Sequence, residues 1–235
     1  MKNLKGFTLA EVLITLGIIG VVAAMTIPAL MNNVRATKLK SQFNKAHAEV
    51  QLAFKMMADN ESVSPNDYNR GDTGRTDNYF YKRFIKYFKS GIDCGANAIG
   101  VDKNLPCYYT TDGDNRPYKA LGGKSNADKC YFDDGQIGLI DGALVLLENA
   151  GGRLWISIDI NGYNNLPNQW GVDLFTFEVT DDGLIPMGNA KTSYYKDKDK
   201  YCDPSKSDSR NGITCAEKAV KDPNYFKDLY KNYRK

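Results

Sequence analysis

The chain has 235 residues, which suffices for one domain of ordinary size and an additional segment but not for two full domains. Its formal net charge of +3 is small, so whole-chain charge gives no argument for nucleic-acid binding. None of the five cysteines belongs to a CxxC pair, and the single histidine cannot complete a catalytic constellation. Because phosphate-binding loops and dinucleotide fingerprints are also absent from the sequence, we predict that the protein is not an enzyme.

The first predicted element is an apolar helix that runs from Phe7 to Met31 and follows Lys2 and Lys5. About 20 helical residues span the hydrocarbon core of a bilayer, so this segment is long enough to cross it. Basic residues on the near flank favour a cytoplasmic N-terminus. We therefore predict a transmembrane helix over residues 7–31, with the remainder of the chain exported.

A single acidic residue, Glu11, interrupts this apolar segment, which contains no evident partner for it. A carboxylate inside a membrane helix costs on the order of 2.5–3.5 kcal/mol. Three simpler interpretations leave that cost unexplained: a cleaved signal peptide ending at Val22–Ala24, an ordinary anchor and a buried core helix. Cleavage after Gly6 would leave a cationic amine on Phe7, and that amine could meet Glu11 of a neighbouring chain. The positive end of the helix dipole would also favour Glu11.

The residues around this position form a recognisable motif. The N-terminal segment contains Lys5-Gly6-Phe7-Thr8-Leu9-Ala10-Glu11, followed by Val12-Leu13-Ile14. This run resembles the prepilin processing site of type IV pilins and type II secretion pseudopilins. The resemblance implies that residues 1–6 are a leader, that a prepilin peptidase cuts after Gly6 and methylates Phe7, and that Glu11 acts in assembly.

The same resemblance implies a function and a location. The expected protein is a structural subunit of a type IV pilus or a secretion pseudopilus, polymerised with other subunits through its N-terminal helix. Before assembly it would lie in the lipid of the bacterial inner membrane as a single-pass protein, with its C-terminal domain outside the cytoplasm. The expected fold class is α+β, with a long N-terminal helix packed on a C-terminal antiparallel sheet.

Pro28 lies near the end of the predicted membrane segment. Proline inside a helix removes one hydrogen bond and clashes with the preceding turn, although membrane helices tolerate it. We predict that the helix continues past Pro28 with a kink there. The alternative is that the membrane helix stops at this point and a new helix follows.

Residues 32–60 carry an apolar stripe whose members are three and four positions apart, which predicts an amphipathic helix. The stripe consists of Ala36, Leu39, Phe43, Ala46, Val50, Ala53 and Met57. We predict that it is the second half of one long helix and packs on the sheet. A coiled-coil seam is the alternative.

Residues 61–235 are assigned to the globular domain. Alternation and the Asp141-Gly142 and Asp182-Gly183 turn signals predict about four antiparallel strands over residues 136–180. Residues 153–160 alternate as a half-buried strand would. Residues 78–89 predict a short aromatic helix, and residues 216–235 predict one or two helices broken at Asp222-Pro223.

The alternative function is a minor pilin that acts as an adhesin or as a DNA-uptake module. Basic side chains interleaved with aromatic ones can bind single-stranded nucleic acid. The candidate patch consists of Arg70, Arg75, Lys82, Arg83, Lys86 and Lys89. The preferred interpretation of the helical part of this pattern is an amphipathic helix packed on the domain.

An oxygen-rich loop separates two of the predicted strands and contains Asp159, Asn161 and Asp173. Hard cations such as Ca²⁺ bind clustered carboxylate, amide and carbonyl oxygens, so Ca²⁺ is the one cofactor expected. The same residue types also form turns without a metal, which is the alternative.

All five cysteines lie beyond the apolar segment, so export would bring them into an oxidising compartment. The resemblance to pilins implies a disulfide between Cys202 and Cys215 that closes a C-terminal loop. The pairing among Cys94, Cys107 and Cys130 stays open.

Overall fold

The computed structural model describes residues 6–61, 79–96, 106–108, 116–149 and 152–232. Its longest element is helix α1, Leu9–Glu61, whose 53 residues extend about 80 Å at 1.5 Å per residue. Pro28 lies inside this helix without ending it. The alternative of a stop at Pro28 is therefore wrong, whereas the kink stays a prediction.

The two halves of α1 have different surroundings. In the first half the large apolar side chains are exposed, as the 63% exposure of Ile19 and the 75% exposure of Met25 show. By length and composition this helix is able to cross a membrane. In the second half every residue of the predicted stripe is buried, and so is Phe54. The amphipathic prediction for residues 32–60 is confirmed.

The described part of the globular domain contains one antiparallel sheet of six strands. The strands are β1 (Ile92–Asp93), β2 (Gln136–Gly138), β3 (Leu144–Glu148), β4 (Trp155–Asp159), β5 (Leu174–Thr180) and β6 (Gly183–Pro186). They lie in the sheet in chain order, each beside the next. The architecture is α+β, as predicted.

The four strands predicted over residues 136–180 are confirmed as β2 to β5, and the sheet extends beyond them by two short strands. Strand β1 is only two residues long, so it has no alternation to detect, and it exists because it pairs with β2. Strand β6 follows directly on the predicted Asp182-Gly183 turn, and its Leu184 pairs with Val179 of β5. Both added strands lie at the edges of the sheet.

Short helices complete the domain. Helix α2, Tyr79–Phe84, continues as one 3-10 turn over Ile85–Tyr87. Helices α3, Cys215–Lys221, and α4, Tyr225–Asn232, are separated at Asp222-Pro223, as predicted. Phe80, Phe84 and Phe88 are all buried, which confirms the common apolar face of the aromatic segment.

One face of the sheet packs against the second half of α1. The ring of Phe43 lies 4.7 Å from that of Phe175 in β5 and 5.6 Å from that of Phe226 in α4. Ile156 and Ile158 of β4 belong to the same core. The stripe is thus a packing face on the sheet, and the coiled-coil alternative is not needed to explain it.

The opposite face of the sheet is buried as well, so the prediction of a half-buried strand over residues 153–160 is wrong. Trp155, Ser157 and Asp159, which were expected to face solvent, are all buried. A second apolar core covers them with side chains from segments outside the strands, including Tyr118 and Trp170. Alternation along a strand distinguishes its two faces. It does not show whether segments outside the sheet cover the more polar face.

Two disulfide bonds cross-link the globular domain. Cys202 pairs with Cys215, and Cys94 pairs with Cys107. Cys130 is exposed and has no disulfide partner. The pairing that the sequence left open is therefore decided by the fold.

We expect replacement of Cys202 and Cys215 by serine to lower the free energy of unfolding by about 3 kcal/mol, because the closed loop restricts the unfolded chain. Denaturant unfolding of a fragment of residues 32–235 measures this change. Cys130→Ser is the matched control and is expected to shift the value by less than about 0.5 kcal/mol. A double variant as stable as the parent would contradict the prediction.

Candidate assembly site

The beginning of α1 is organised by a capping box between Thr8 and Glu11. Glu11 Oε2 accepts hydrogen bonds from the Thr8 backbone N–H and from Thr8 Oγ1, both at 2.8 Å. In return, the Glu11 backbone N–H donates to Thr8 Oγ1 at 3.3 Å. The carboxylate is therefore held in the first turn of the helix.

The expectation that Glu11 has no partner within the segment is wrong. The helix begins at Leu9, so Glu11 lies in its first turn, where its side chain can reach back to Thr8. The spacing Thr-x-x-Glu at a helix start is the sequence signal that would have found this contact. The partners are neutral donors, and among the residues that the structure describes no cation pairs with Glu11.

Gly6 and Phe7 precede the helix and are exposed. A side chain built on Gly6 would meet no atom within 4 Å, and Phe7 is 88% exposed. Packing against the described residues therefore does not require a glycine or an aromatic ring at these positions.

Two glycines within the apolar half of α1 show the same property. Cβ atoms built on Gly17 and Gly20 would also meet nothing within 4 Å. Glycine in a helix interior costs about 1 kcal/mol relative to alanine, so these residues destabilise an isolated helix. Small residues are common where membrane helices approach one another closely.

Asp159 and Asp173 are both fully buried beside the loop that follows β4. Asp159 accepts hydrogen bonds from Tyr118 Oη at 2.7 Å and from the Gly162 N–H at 2.9 Å. Asp173 accepts from the N–H groups of Asn168 and Gln169. Burial, and then the charge of Asp173, raises the pKa of Asp159 well above its usual range. These contacts make the two carboxylates organisers of the turn, as the alternative interpretation proposed.

Asn161 lies in the same turn, where its Nδ2 donates to the Asn165 carbonyl at 3.0 Å. Its Oδ1 is buried and has no hydrogen-bond partner, and an oxygen of this kind suits a hard cation. The oxygen chemistry of Asp159, Asn161 and Asp173 thus fits Ca²⁺. Binding of Ca²⁺ there stays a prediction.

A second group of carboxylates was not singled out from the sequence. Oxygens of Asp133, Asp134 and Glu148 lie within 4.8 Å of one another. Asp134 accepts a hydrogen bond from the Asn149 N–H, and Glu148 pairs with Arg153 at 3.3 Å. Burial, and then the charges of Asp134 and Asp133, raises the pKa of Glu148 to about 8.

This raised pKa predicts a pH-dependent stability. Glu148 keeps its proton in the folded chain up to about pH 8, whereas the unfolded chain loses it near pH 4.5. Its contribution to stability is therefore present below pH 4.5 and is lost as the pH rises to about 8.

We expect Glu148→Gln to remove this loss. Between pH 5 and pH 9 the free energy of unfolding of the variant should therefore rise relative to that of the parent by on the order of 2 kcal/mol. Urea unfolding of residues 32–235 across this pH range is the measurement. Glu178→Gln, which changes a glutamate of strand β5, serves as the control. Parallel pH profiles for the parent and Glu148→Gln would show that Glu148 titrates normally.

The candidate basic patch is only partly described. Arg83 pairs with Glu61, so its charge is already matched within the subunit. Arg70 and Arg75 lie outside the described residues. The remaining members, Lys82, Lys86 and Lys89, belong to the aromatic segment whose phenylalanines face the core.

One comparison with known proteins bears on this site. A family model described as the prokaryotic N-terminal methylation motif matches residues 1–27, which include Gly6, Phe7 and Glu11. No curated protein and no solved structure matches the chain. The N-terminal segment is thus a motif of the prepilin type, and the match supports a subunit of the type IV pilin or pseudopilin kind.

Proposed function

We propose that this chain, which carries a prepilin-type methylation motif, is a structural subunit of a type IV pilus or a secretion pseudopilus. A prepilin peptidase processes it after Gly6, and it polymerises through the first half of α1. The observation that carries the proposal is an exposed apolar helix half whose single carboxylate is held at its first turn.

The exposed half of α1 needs an apolar environment. Its large apolar side chains, from Leu9 to Val34, are exposed, so the described part of the globular domain does not cover them. Lipid tails of a bilayer cover this apolar surface before assembly, and neighbouring copies of the same helix cover it in a filament. Gly17 and Gly20 allow those helices to approach closely.

The carboxylate of Glu11 directs this packing. Removal of residues 1–6 leaves an amine on Phe7, and the Glu11 carboxylate of an adjacent subunit is the anion that this amine can reach. Thr8 positions the carboxylate by its two hydrogen bonds but does not neutralise it. The attraction between this amine and this carboxylate is strong where water is excluded, and it fixes the axial offset between neighbouring helices.

The mature N-terminus tests this proposal most directly. We expect mass spectrometry of protein from cells that contain a prepilin peptidase to find a chain that begins with N-methylated Phe7. A chain that begins at Met1 would indicate a plain anchor, and one that begins at Met25 would indicate ordinary secretion.

Gly6→Leu is a sharp control for this experiment. Position 6 has open space, so leucine is not expected to disturb the fold. We expect this variant to reach the membrane with its leader attached, because the substitution changes only the cleavage site. Processing of Gly6→Leu at the same bond would contradict the assignment of Gly6.

The minor-pilin alternative, with an adhesive or DNA-binding role, rests on the basic patch alone. The pairing of Arg83 with Glu61 weakens that patch, and no other observation on the described residues favours it. A structural subunit therefore accounts for more of the molecule than a binding module does.

A further inference from the structure

A polar groove of about 620 Å³ lies between α1 and the turn that follows β4. Arg35, Lys38 and Gln42 form its helical side, and Asn161, Asn165 and Leu166 lie on the other side. Leu39 and Tyr230, at the base of the groove, belong to the core against the sheet, whereas the polar lining residues take part neither in that core nor in the capping box at Glu11. It lies at the end of the domain where α1 leaves the apolar segment.

The position of the groove along α1 sets its level relative to a bilayer, an argument that rests on the proposed function. Arg35 is about 6 Å beyond Met31 along the helix axis, and Lys38 is about 10 Å beyond it. The headgroup layer of a bilayer extends roughly 5–8 Å beyond the hydrocarbon core on each side. With the apolar segment in the membrane, both basic side chains reach the headgroups.

The chemistry of the groove matches a phosphate group. Arg35 and Lys38 are both exposed, and among the described residues neither has an ion-pair partner. No carboxylate is present among the described residues that line the groove. Arginine and lysine are the side chains that proteins use to bind phosphate.

The opposite wall of the groove is uncharged, and two hydrogen bonds between its asparagines fix its conformation. Asn161 Nδ2 donates to the Asn165 carbonyl at 3.0 Å, and Asn165 Nδ2 donates to the Asn161 carbonyl at 2.7 Å. Amide groups of this kind pair with hydroxyls without adding charge. Leu166 is 70% exposed at the rim, and such an apolar side chain is stable beside lipid.

We infer that this groove binds the headgroup of an anionic phospholipid, of the phosphatidylglycerol class. Arg35 and Lys38 hold the phosphate, and the amides face the glycerol hydroxyls. Leu166 contacts the upper part of an acyl chain. The contact orients the globular domain on the membrane surface before assembly, and it is broken when the subunit leaves the membrane for a filament.

Native mass spectrometry of the full chain in mild detergent, titrated with phosphatidylglycerol or phosphatidylcholine, tests this inference. We expect phosphatidylglycerol to bind about 30-fold more tightly, because each basic residue near an anionic lipid contributes a factor of about five. The double variant Arg35→Gln/Lys38→Gln is expected to lose this preference. The control Lys55→Gln/Lys86→Gln removes the same charge outside the groove and is expected to keep it.

Two outcomes would overturn the inference. An equal loss in both double variants would mean that net charge, and not the groove, selects the lipid. An unchanged preference in Arg35→Gln/Lys38→Gln would exclude the groove as a lipid site, and poor filament incorporation of the same variant would then assign it to a contact between subunits. Membrane retention and methylation of Phe7, measured on the same samples, test the proposed function separately.

Discussion

Replacement of Glu11 by alanine is expected to leave the protein in the membrane and to reduce its incorporation into filaments by at least tenfold. Removal of a carboxylate from a membrane helix makes insertion easier by on the order of 2.5–3.5 kcal/mol, so the anchor is retained. Assembly suffers because the amine of an adjacent Phe7 loses its partner. A charged hydrogen bond contributes about 1.5–3 kcal/mol, which corresponds to a factor of roughly 10 to 100.

The measurement compares Glu11→Ala in sheared filaments with the same protein in the membrane fraction. Two further variants separate charge from capping. Glu11→Gln keeps an acceptor for the Thr8 N–H but has no charge, so it is expected to assemble as poorly as Glu11→Ala. Thr8→Val keeps the charge and loses both hydrogen bonds of the Thr8 hydroxyl, so its effect is expected to be about 1 kcal/mol, or fivefold.

Asp59→Ala is the matched control, because Asp59 is an exposed carboxylate at the far end of the same helix. We expect it to assemble normally. Normal incorporation of Glu11→Ala into filaments would refute the pairing of Glu11 with a neighbouring amine.

Replacement of Phe43 by alanine is expected to lower the free energy of unfolding of the globular domain by about 4 kcal/mol. The side chain is 1% exposed, and its ring contacts those of Phe175, Phe177 and Phe226. Loss of a buried phenylalanine removes its transfer free energy and leaves a cavity between the helix and the sheet. Denaturant unfolding of residues 32–235 measures the effect.

Leu52→Ala is the control on the same helix, because Leu52 is 58% exposed and lies on the other face. We expect this change to cost less than about 1 kcal/mol. Equal destabilisation by the two variants would show that α1 does not pack on the sheet through its Phe43 face.

The second half of α1 illustrates what periodicity alone predicts well. A stripe with spacings of three and four has only one helical arrangement that buries it, and all seven predicted residues are buried. The same reasoning was incomplete for β4, because alternation separates two faces and assumes that the polar face meets water. Here Trp155 and Asp159 are covered by a second core.

The assembly site shows a related difference. Gly6, Phe7 and Glu11 were predicted from their order along the chain, and a family model matches the short linear segment that contains them. The capping contact of Thr8 with Glu11 depends on where the helix begins. The sequence predicted a start at Phe7, whereas the helix begins at Leu9, which makes Thr8 the residue that caps it.

The sequence by itself determined the apolar segment, the prepilin-type motif and the amphipathic face of α1, because each depends on residues that are close along the chain. Only the tertiary structure decided the Cys94–Cys107 pair, the edge strand β1 and the burial of Asp159 beneath the second core. These features join residues that are far apart in sequence or that lie in irregular chain. Their positions follow from packing and hydrogen bonds to distant segments, which no local pattern encodes.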